Sequence, residues 1–395
     1  MYNKLRLLTP GPTPLPERVR LVLAQDMIHH RKPLFAQRLL ETEEKLKNLF
    51  CTTQPVIPLS CSGTGAMTAA VHSLFLPGEK VIVVNGGKFG ERWAKIARVR
   101  GLDVKEIVLP WGQAITPDSL DACLNANPDA KGVLVQACET STGVQHPIKD
   151  VGMVARSHNM LLVVDGISSV GISPCRMDEW GVDCLLTGSQ KGLMVPPGLA
   201  LISFSARAWE KIHTVPASCF YFNMEGELKH LQKGDGLFTS PINLILGLHE
   251  SLNMVEENGG FNTVYRKQWA LTCMVRASVR ALDLQLFAPE HYAWGVTSIL
   301  LPQGVDGKKL LSVAEKEFGV IFAGGQDAYS GKMVRFGHMG WVDWSDCLAG
   351  LHALSYALRA AGGYVASRDY LEIGLDAYHK ALDAGPGTII SDPRS

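Results

Sequence analysis

The sequence has little of what marks a nucleic-acid or membrane protein. Lys plus Arg total 38 and Asp plus Glu total 38 in 395 residues, so no excess of one sign steers the chain to nucleic acid or an anionic membrane. A small-molecule ligand is the default. No stretch reaches the roughly 18 apolar residues of a bilayer span. The opening MYNKLRLLTPGPTPLPERV lacks a continuous apolar core, and Pro10, Pro12, Pro14 and Pro16 would break any helix there. The nine cysteines occur singly, with no Cys-x-x-Cys pair. That odd, scattered set fits neither a disulfide framework nor a zinc site, and predicts a reducing, cytoplasmic setting with no metal. Repeats and low-complexity tracts are missing too.

Hydrophobic residues make up 46 % of the chain, so burial is not limiting. The length predicts one large domain with a smaller companion. From residue 34 to about 204, helical patterns alternate with apolar strand-like runs such as KVIVVN, GVLVQAC, MLLVVD and ALISFS. Alternation of this kind implies an α/β fold with a mainly parallel sheet covered by helices on both faces. A helix over 242–257 ends at the stop signal Asn258-Gly259-Gly260, and a mixed α+β set follows. The expected organisation is an N-terminal arm over 1–14, a large domain over 15–258, a small domain over 259–383 and a loosely ordered tail over 384–395.

Two polar residues stand out against the apolar runs. Asp165 ends MLLVVD, and Lys191 follows CLLTGSQ as the only charged residue between Cys184 and Phe204. At strand ends both would face the crevice in which open α/β sheets bind ligands. Taken singly, a lysine is usually a solvated surface group and a strand-end aspartate usually caps a helix. A lysine in so apolar a stretch must instead be paired, neutralised or used covalently. A Schiff-base lysine with a carboxylate that holds a pyridinium nitrogen is the pair pyridoxal phosphate chemistry requires. Three further turns fit. Ser60-Cys61-Ser62-Gly63-Thr64-Gly65, between a strand and a helix, offers N–H groups and hydroxyls to a phosphate, although such turns often serve only themselves. Asn85-Gly86-Gly87-Lys88-Phe89-Gly90 places Phe89 at the crevice edge, and Glu139-Thr140-Ser141-Thr142-Gly143 brings hydroxyls there.

The order of these motifs resembles the fold type I, class V aminotransferases of the alanine–glyoxylate and serine–pyruvate type. The resemblance runs through LTPGPTPLPERV, HHRKPLF, SCSGTGAM, NGGKFGERW, ETSTGV, VVDGISSVG, TGSQKGLMVPPGLA and VRFGHMG, nearly the whole chain. It implies a seven-stranded, mainly parallel sheet, pyridoxal 5'-phosphate as cofactor, and a homodimer with shared active sites. Lys191 then matches the residue that holds the cofactor as an internal aldimine, and Asp165 the partner of its pyridine nitrogen. Ser62, Gly63, Thr64 and Gln190 match phosphate ligands, Phe89 the stacking aromatic, and Thr140 the hydroxyl near the ring oxygen. Arg335 and Gly11 match substrate-binding positions, with the guanidinium on the substrate carboxylate. Thr239 matches the residue that reaches the partner subunit's cofactor phosphate. Gly236 departs from the pattern, because family members often carry tyrosine there.

The expected reaction is transfer of the amino group of a small L-amino acid, alanine or serine, to glyoxylate or pyruvate. Phosphonate-type aminotransferases, a cysteine desulfurase-like lyase and a non-catalytic subunit are the rivals. A desulfurase would need a reactive small-domain cysteine, for which only Cys273 and Cys347 qualify.

Overall fold

The computed structural model describes residues 3–365 and 369–386. Seven strands form the larger sheet, in the order Val56–Leu59, Ala200–Phe204, Cys184–Gly188, Leu161–Asp165, Gly132–Gln136, Lys80–Asn85 and Asp103–Val108. Only Ala200–Phe204 runs against its neighbours. Four of the five inner strands, Gly132–Gln136, Leu161–Asp165, Cys184–Gly188 and Ala200–Phe204, are buried at every position. They read as unbroken apolar runs because helices cover both faces. The helices Gly63–Leu74, Lys88–Val99 and Ile148–Ser157 follow their strands and bury one stripe each. The expected mainly parallel, doubly covered α/β sheet is present.

A second sheet has the order Arg6–Leu8, Val320–Gly324, Met333–Gly337, Val296–Leu300 and Gln285–Leu286. It packs against the helices Gly260–Ala281, Gly307–Phe318 and Trp344–Gly362 around a separate core that includes Leu271, Val275, Phe336, Leu351 and Leu354. Two of its elements differ from the sequence expectation. The proline-rich arm contributes the strand Arg6–Leu8, parallel to Val320–Phe322. Residues Tyr370–Ala384 form a helix, packed along Gly260–Ala281, where no element was expected. Three residues make the first strand legible only through its partner, and the helix carries glycine and three acidic residues that dilute its apolar stripe. Of the expected loose tail, Ala384 ends that helix and residues 387–395 lie outside the described residues. No helix among the described residues is long and apolar enough to cross a membrane.

Gly152 shows how closely helix and loop are packed. A Cβ there would lie 1.9 Å from the Trp180 carbonyl oxygen, a backbone atom that cannot rotate away. Gly152→Ala must therefore push the helix Ile148–Ser157 off its seat, at a cost of about 1–3 kcal/mol. A thermal melt should fall by roughly 2–10 °C. An unchanged melt would show that this helix slides freely.

Candidate active site

The parallel strands point their carboxyl ends to one side, and the loops that leave them meet there. Val56–Leu59 delivers the Ser60–Gly65 turn, Lys80–Asn85 delivers Phe89, Gly132–Gln136 delivers the Glu139–Gly143 hairpin turn, Leu161–Asp165 ends in Asp165, and Cys184–Gly188 delivers Lys191. Asp165 sits opposite both Gln136 and Leu186 in register, in the middle of the sheet. This is the crevice at strand ends that open α/β sheets use.

Lys191 is held from three directions. Its carbonyl accepts from Thr13 Oγ1 at 3.0 Å, and Gln190 accepts from the Thr13 N–H at 3.1 Å. The following loop is anchored by Ser189 Oγ on the Pro196 carbonyl and Ser251 Oγ on the Leu193 carbonyl. Its Nζ donates to the Pro10 carbonyl. Gly11 passes so close that a Cβ would meet Lys191 Cδ, Cε and Nζ at 2.5, 2.6 and 2.7 Å, and its φ of +110° is a backbone only glycine takes readily. Gly11 thus belongs to the wall of the site.

The two central groups are both perturbed by burial, in opposite directions. Loss of solvent lowers the Lys191 ammonium to about 8, with Arg335 and Arg92 adding repulsion against the attraction of Asp165. Burial raises Asp165 to about 6, although its Oδ1 accepts from the Ile167 N–H at 2.8 Å and Arg92 and Lys191 favour its charge. Beside them Arg335, nearly enclosed in the strand Met333–Gly337, donates through Nε to the Gly324 carbonyl at 2.9 Å and through Nη1 to the Thr140 carbonyl at 3.2 Å. Its Nη2 has no partner among the described residues, so one edge of the guanidinium is free to meet a carboxylate. Thr140 Oγ1 donates to Ser168 Oγ at 2.7 Å.

At the other end of the crevice, Ser62 caps the helix Gly63–Leu74 and accepts from the Gly65 N–H. The first turn lies directly against Ile167, since a Cβ at Gly63 would sit 2.3 Å from Ile167 Cδ1. Free N–H groups, the Ser62 and Thr64 hydroxyls and the helix dipole make this end an anion site two residues from Asp165. Arg92 donates through Nη1 to Thr64 Oγ1 at 3.2 Å and lies over the Phe89 ring at 4.8 Å. The lysine, the carboxylate, the aromatic ring and the anion site therefore fit a pyridoxal phosphate. Among the described residues no cluster of His, Cys, Asp and Glu could hold a metal ion.

The structure gathers Gly11, Ser62, Gly63, Thr64, Phe89, Thr140, Asp165, Lys191 and Arg335 about one crevice. Gln190 folds its side chain back toward Gly188, where a Cβ would meet Oε1 at 2.6 Å. Thr239 is exposed and stands apart, in a shallow groove with Ser60, Tyr221, Glu227 and Phe238. Gly236 lies in the same groove, and a Cβ there would be 2.4 Å from Ser240 Oγ and 2.9 Å from the Phe238 carbonyl, so the loop as folded has no room for a tyrosine. Cys347 is fully buried, its thiol pushed well up by burial, and burial holds Cys273 up at about 12. Neither is poised as a thiolate. Sequence reasoning assigned no role to Glu139, Arg92 or the Pro10 carbonyl. Arg92 had one usable signal, its position one helical turn after Phe89.

Comparison with known proteins gives a concordant family. The family described as aminotransferase class V matches residues 20–346. A soluble hydrogenase small subunit from Synechococcus sp. (strain PCC 6716) is 37 % identical over 365 residues, which cover 92 % of this chain and 95 % of that one. The L-aspartate–glyoxylate aminotransferase of Paracoccus denitrificans is 35 % identical over 358 residues, covering 89 % of this chain and 90 % of the relative. Among solved structures, ureidoglycine–glyoxylate aminotransferase from Bacillus subtilis superposes with a TM-score of 0.90 at 26 % identity, over 96 % of this chain and 99 % of that one. The architecture is that of fold type I aminotransferases, and the chain belongs to the class V aminotransferase family, whose members depend on pyridoxal phosphate to move amino groups.

Proposed function

We propose that this chain moves the amino group of a small L-amino acid, alanine or serine, to glyoxylate or pyruvate by a ping-pong mechanism. In this reading pyridoxal 5'-phosphate is held as a Schiff base on Lys191, and the enzyme is a homodimer whose sites are shared through Thr239. The observation that carries it is the meeting of a buried amine, a buried carboxylate and a half-free guanidinium in one crevice. The glyoxylate-using relatives support the acceptor. The hydrogenase name of one relative is not carried over, because the groups gathered here are those of amino-group transfer.

The cofactor, when bound, supplies a carbonyl for the amine and an electron sink for the Cα carbanion. The chain supplies the rest. Asp165, charged at neutral pH with its value near 6, would pair with the ring nitrogen and keep it protonated. Lys191, with its ammonium lowered to about 8, has a neutral fraction at pH 7 of about a tenth, against roughly one part in three thousand for an ordinary lysine. Its Nζ can then attack a carbonyl and, once displaced by the donor, take and return the Cα proton. Arg335 grips the α-carboxylate, which orients the Cα–H bond toward that amine. Thr140 and Ser168 would offer hydroxyls to the ring oxygen, and Ser62, Gly63 and Thr64 would hold the phosphate, with Gln190 joining them by turning its side chain away from Gly188.

Lys191→Ala should leave the fold intact, with an unchanged thermal melt, and abolish both the visible absorption of the bound cofactor and transamination. In the wild-type apoenzyme the rate of cofactor capture should climb with pH through a midpoint near 8, since the neutral amine is the reactive form. Stopped-flow absorbance would show it. A midpoint above 10 would mean that Lys191 is not buried when it reacts.

Arg335→Lys keeps the charge but loses the planar fork, so kcat/KM should fall about tenfold or more for every donor alike, and Arg335→Ala further. Both should keep the resting spectrum, because the residue meets substrate. An unchanged single-turnover rate with alanine would remove Arg335 from the reaction. Steady-state rates with alanine, serine, aspartate and glutamate against glyoxylate should favour the first two. A dicarboxylate preference would require a further cation free to meet a second carboxylate.

A further inference from the structure

Arg92 has no part in the scheme above, yet it stands between two of the pieces that grip the cofactor. It lies on the helix Lys88–Val99, one turn beyond Phe89, with its guanidinium over that ring at 4.8 Å. Its Nη1 donates to Thr64 Oγ1 at 3.2 Å, in the first turn of the helix whose free N–H groups form the anion site. Among the described residues no carboxylate lies within ion-pair distance of it, although its neighbours Lys88 and Lys95 both pair with Glu91. A partly enclosed, permanently charged group without a counter-ion is a cost that persists where an anion is meant to arrive.

We propose that Arg92 is a positioning residue for the cofactor: it ties the Phe89 ring to the phosphate-binding turn at Thr64 and supplies the lasting positive charge of the crevice. This rests on the pyridoxal phosphate reading above. At Asp165, whose Oδ1 accepts from the Ile167 N–H, Arg92 and Lys191 also favour the charge, and Glu139 opposes it. At Lys191, whose Nζ donates to the Pro10 carbonyl, Cys138 and Asp165 favour the charge, and Arg335 and Arg92 oppose it. Lys191 loses its ammonium charge whenever its nitrogen is neutral. Arg92 carries a guanidinium charge that adds to the larger contribution of the Ile167 N–H in favouring the charged form of Asp165 against Glu139. The same charge discourages a proton on the lysine–cofactor link.

The test uses the full-length protein loaded with pyridoxal phosphate, as wild type, Arg92→Gln and Arg92→Lys. Borohydride reduction and peptide mapping should place the cofactor on Lys191 in all three. If wild type carries no adduct there, the cofactor reading itself fails and the proposal falls with it. With the adduct in place, Arg92→Gln should bind pyridoxal phosphate about tenfold or more weakly by equilibrium dialysis, since one charge-assisted contact and the ring clamp are lost. The pH midpoint of the bound cofactor's visible absorption should rise by half a unit or more, because removal of a nearby cation eases protonation. Arg92→Lys should restore the midpoint but not the affinity, as it keeps the charge without the flat face. A residue with only a structural role would move the melt and leave the midpoint alone. An Arg92→Gln protein that matches wild type in either affinity or midpoint overturns the proposal. If Arg92→Gln does not fold, Arg92→Lys decides alone, and wild-type affinity in that variant overturns it.

Discussion

The buried carboxylate of Glu139 holds the loops of the site in register. It has no exposure to solvent, and it accepts from Gln136 Nε2 at 3.0 Å, from the N–H groups of Phe89 and Gly90 at 3.1 and 3.0 Å, and from the N–H and hydroxyl of Ser141. A charge so enclosed is costly unless its lone pairs are saturated, and five donors from three segments saturate these. Burial still pushes the carboxyl above its usual range, against the hydrogen bonds that pull it down. The helix Lys88–Val99 has glycine as its N-cap and no side-chain cap of its own. Glu139 supplies that cap from another strand. Through it the placement of Phe89 and Arg92 is fixed to the same turn whose Thr140 carbonyl receives Arg335. Gly87 is required at the junction, since a Cβ would lie 2.4 Å from Ser141 Oγ and 2.6 Å from Glu139 Cδ.

Burial also does the chemical tuning, by one cause with two signs. Removing water penalises whichever form is charged, so the amine of Lys191 moves down toward 8 and the acid of Asp165 up toward 6. The two values approach neutrality from opposite sides. Between them lies a pH interval in which the carboxylate is charged while a useful share of the amine is neutral. Below about 6 the carboxylate of Asp165 takes up its proton, and an ordinary solvated lysine would not reach a comparable neutral share until far more alkaline pH.

What the sequence reveals, and what it hides, follows from how local each signal is. Buried parallel strands declare themselves as apolar runs, and a lysine stranded among them, Lys191, has few bland explanations. Asp165 is legible for the same reason. The strand Arg6–Leu8 is not, because three residues carry no periodicity and the pairing partner is more than three hundred residues away. Glu139 was visible as part of a hydroxyl-rich turn, but its partners Phe89 and Gly90 come from another loop. The Pro10 carbonyl is beyond any side-chain pattern, since the backbone itself makes the contact. Thr239, picked out with the cofactor ligands by family resemblance, lies on an outer groove of its own chain.

The arm that pairs with Val320–Phe322 and crosses Gly337, where a Cβ would lie 2.1 Å from the Thr9 carbonyl, sets an order of events on the ribosome. The strand Arg6–Leu8 is made more than three hundred residues before the strand it pairs with. At about 5–20 residues per second that delay is of the order of a quarter of a minute to a minute. The seven-stranded sheet, complete by Phe204, can collapse in the meantime with Asp165 and Lys191 already in place but Pro10, Gly11 and Thr13 still loose. Until Val320–Phe322 is made, the wall that Pro10, Gly11 and Thr13 form around Lys191 has no strand to fasten it.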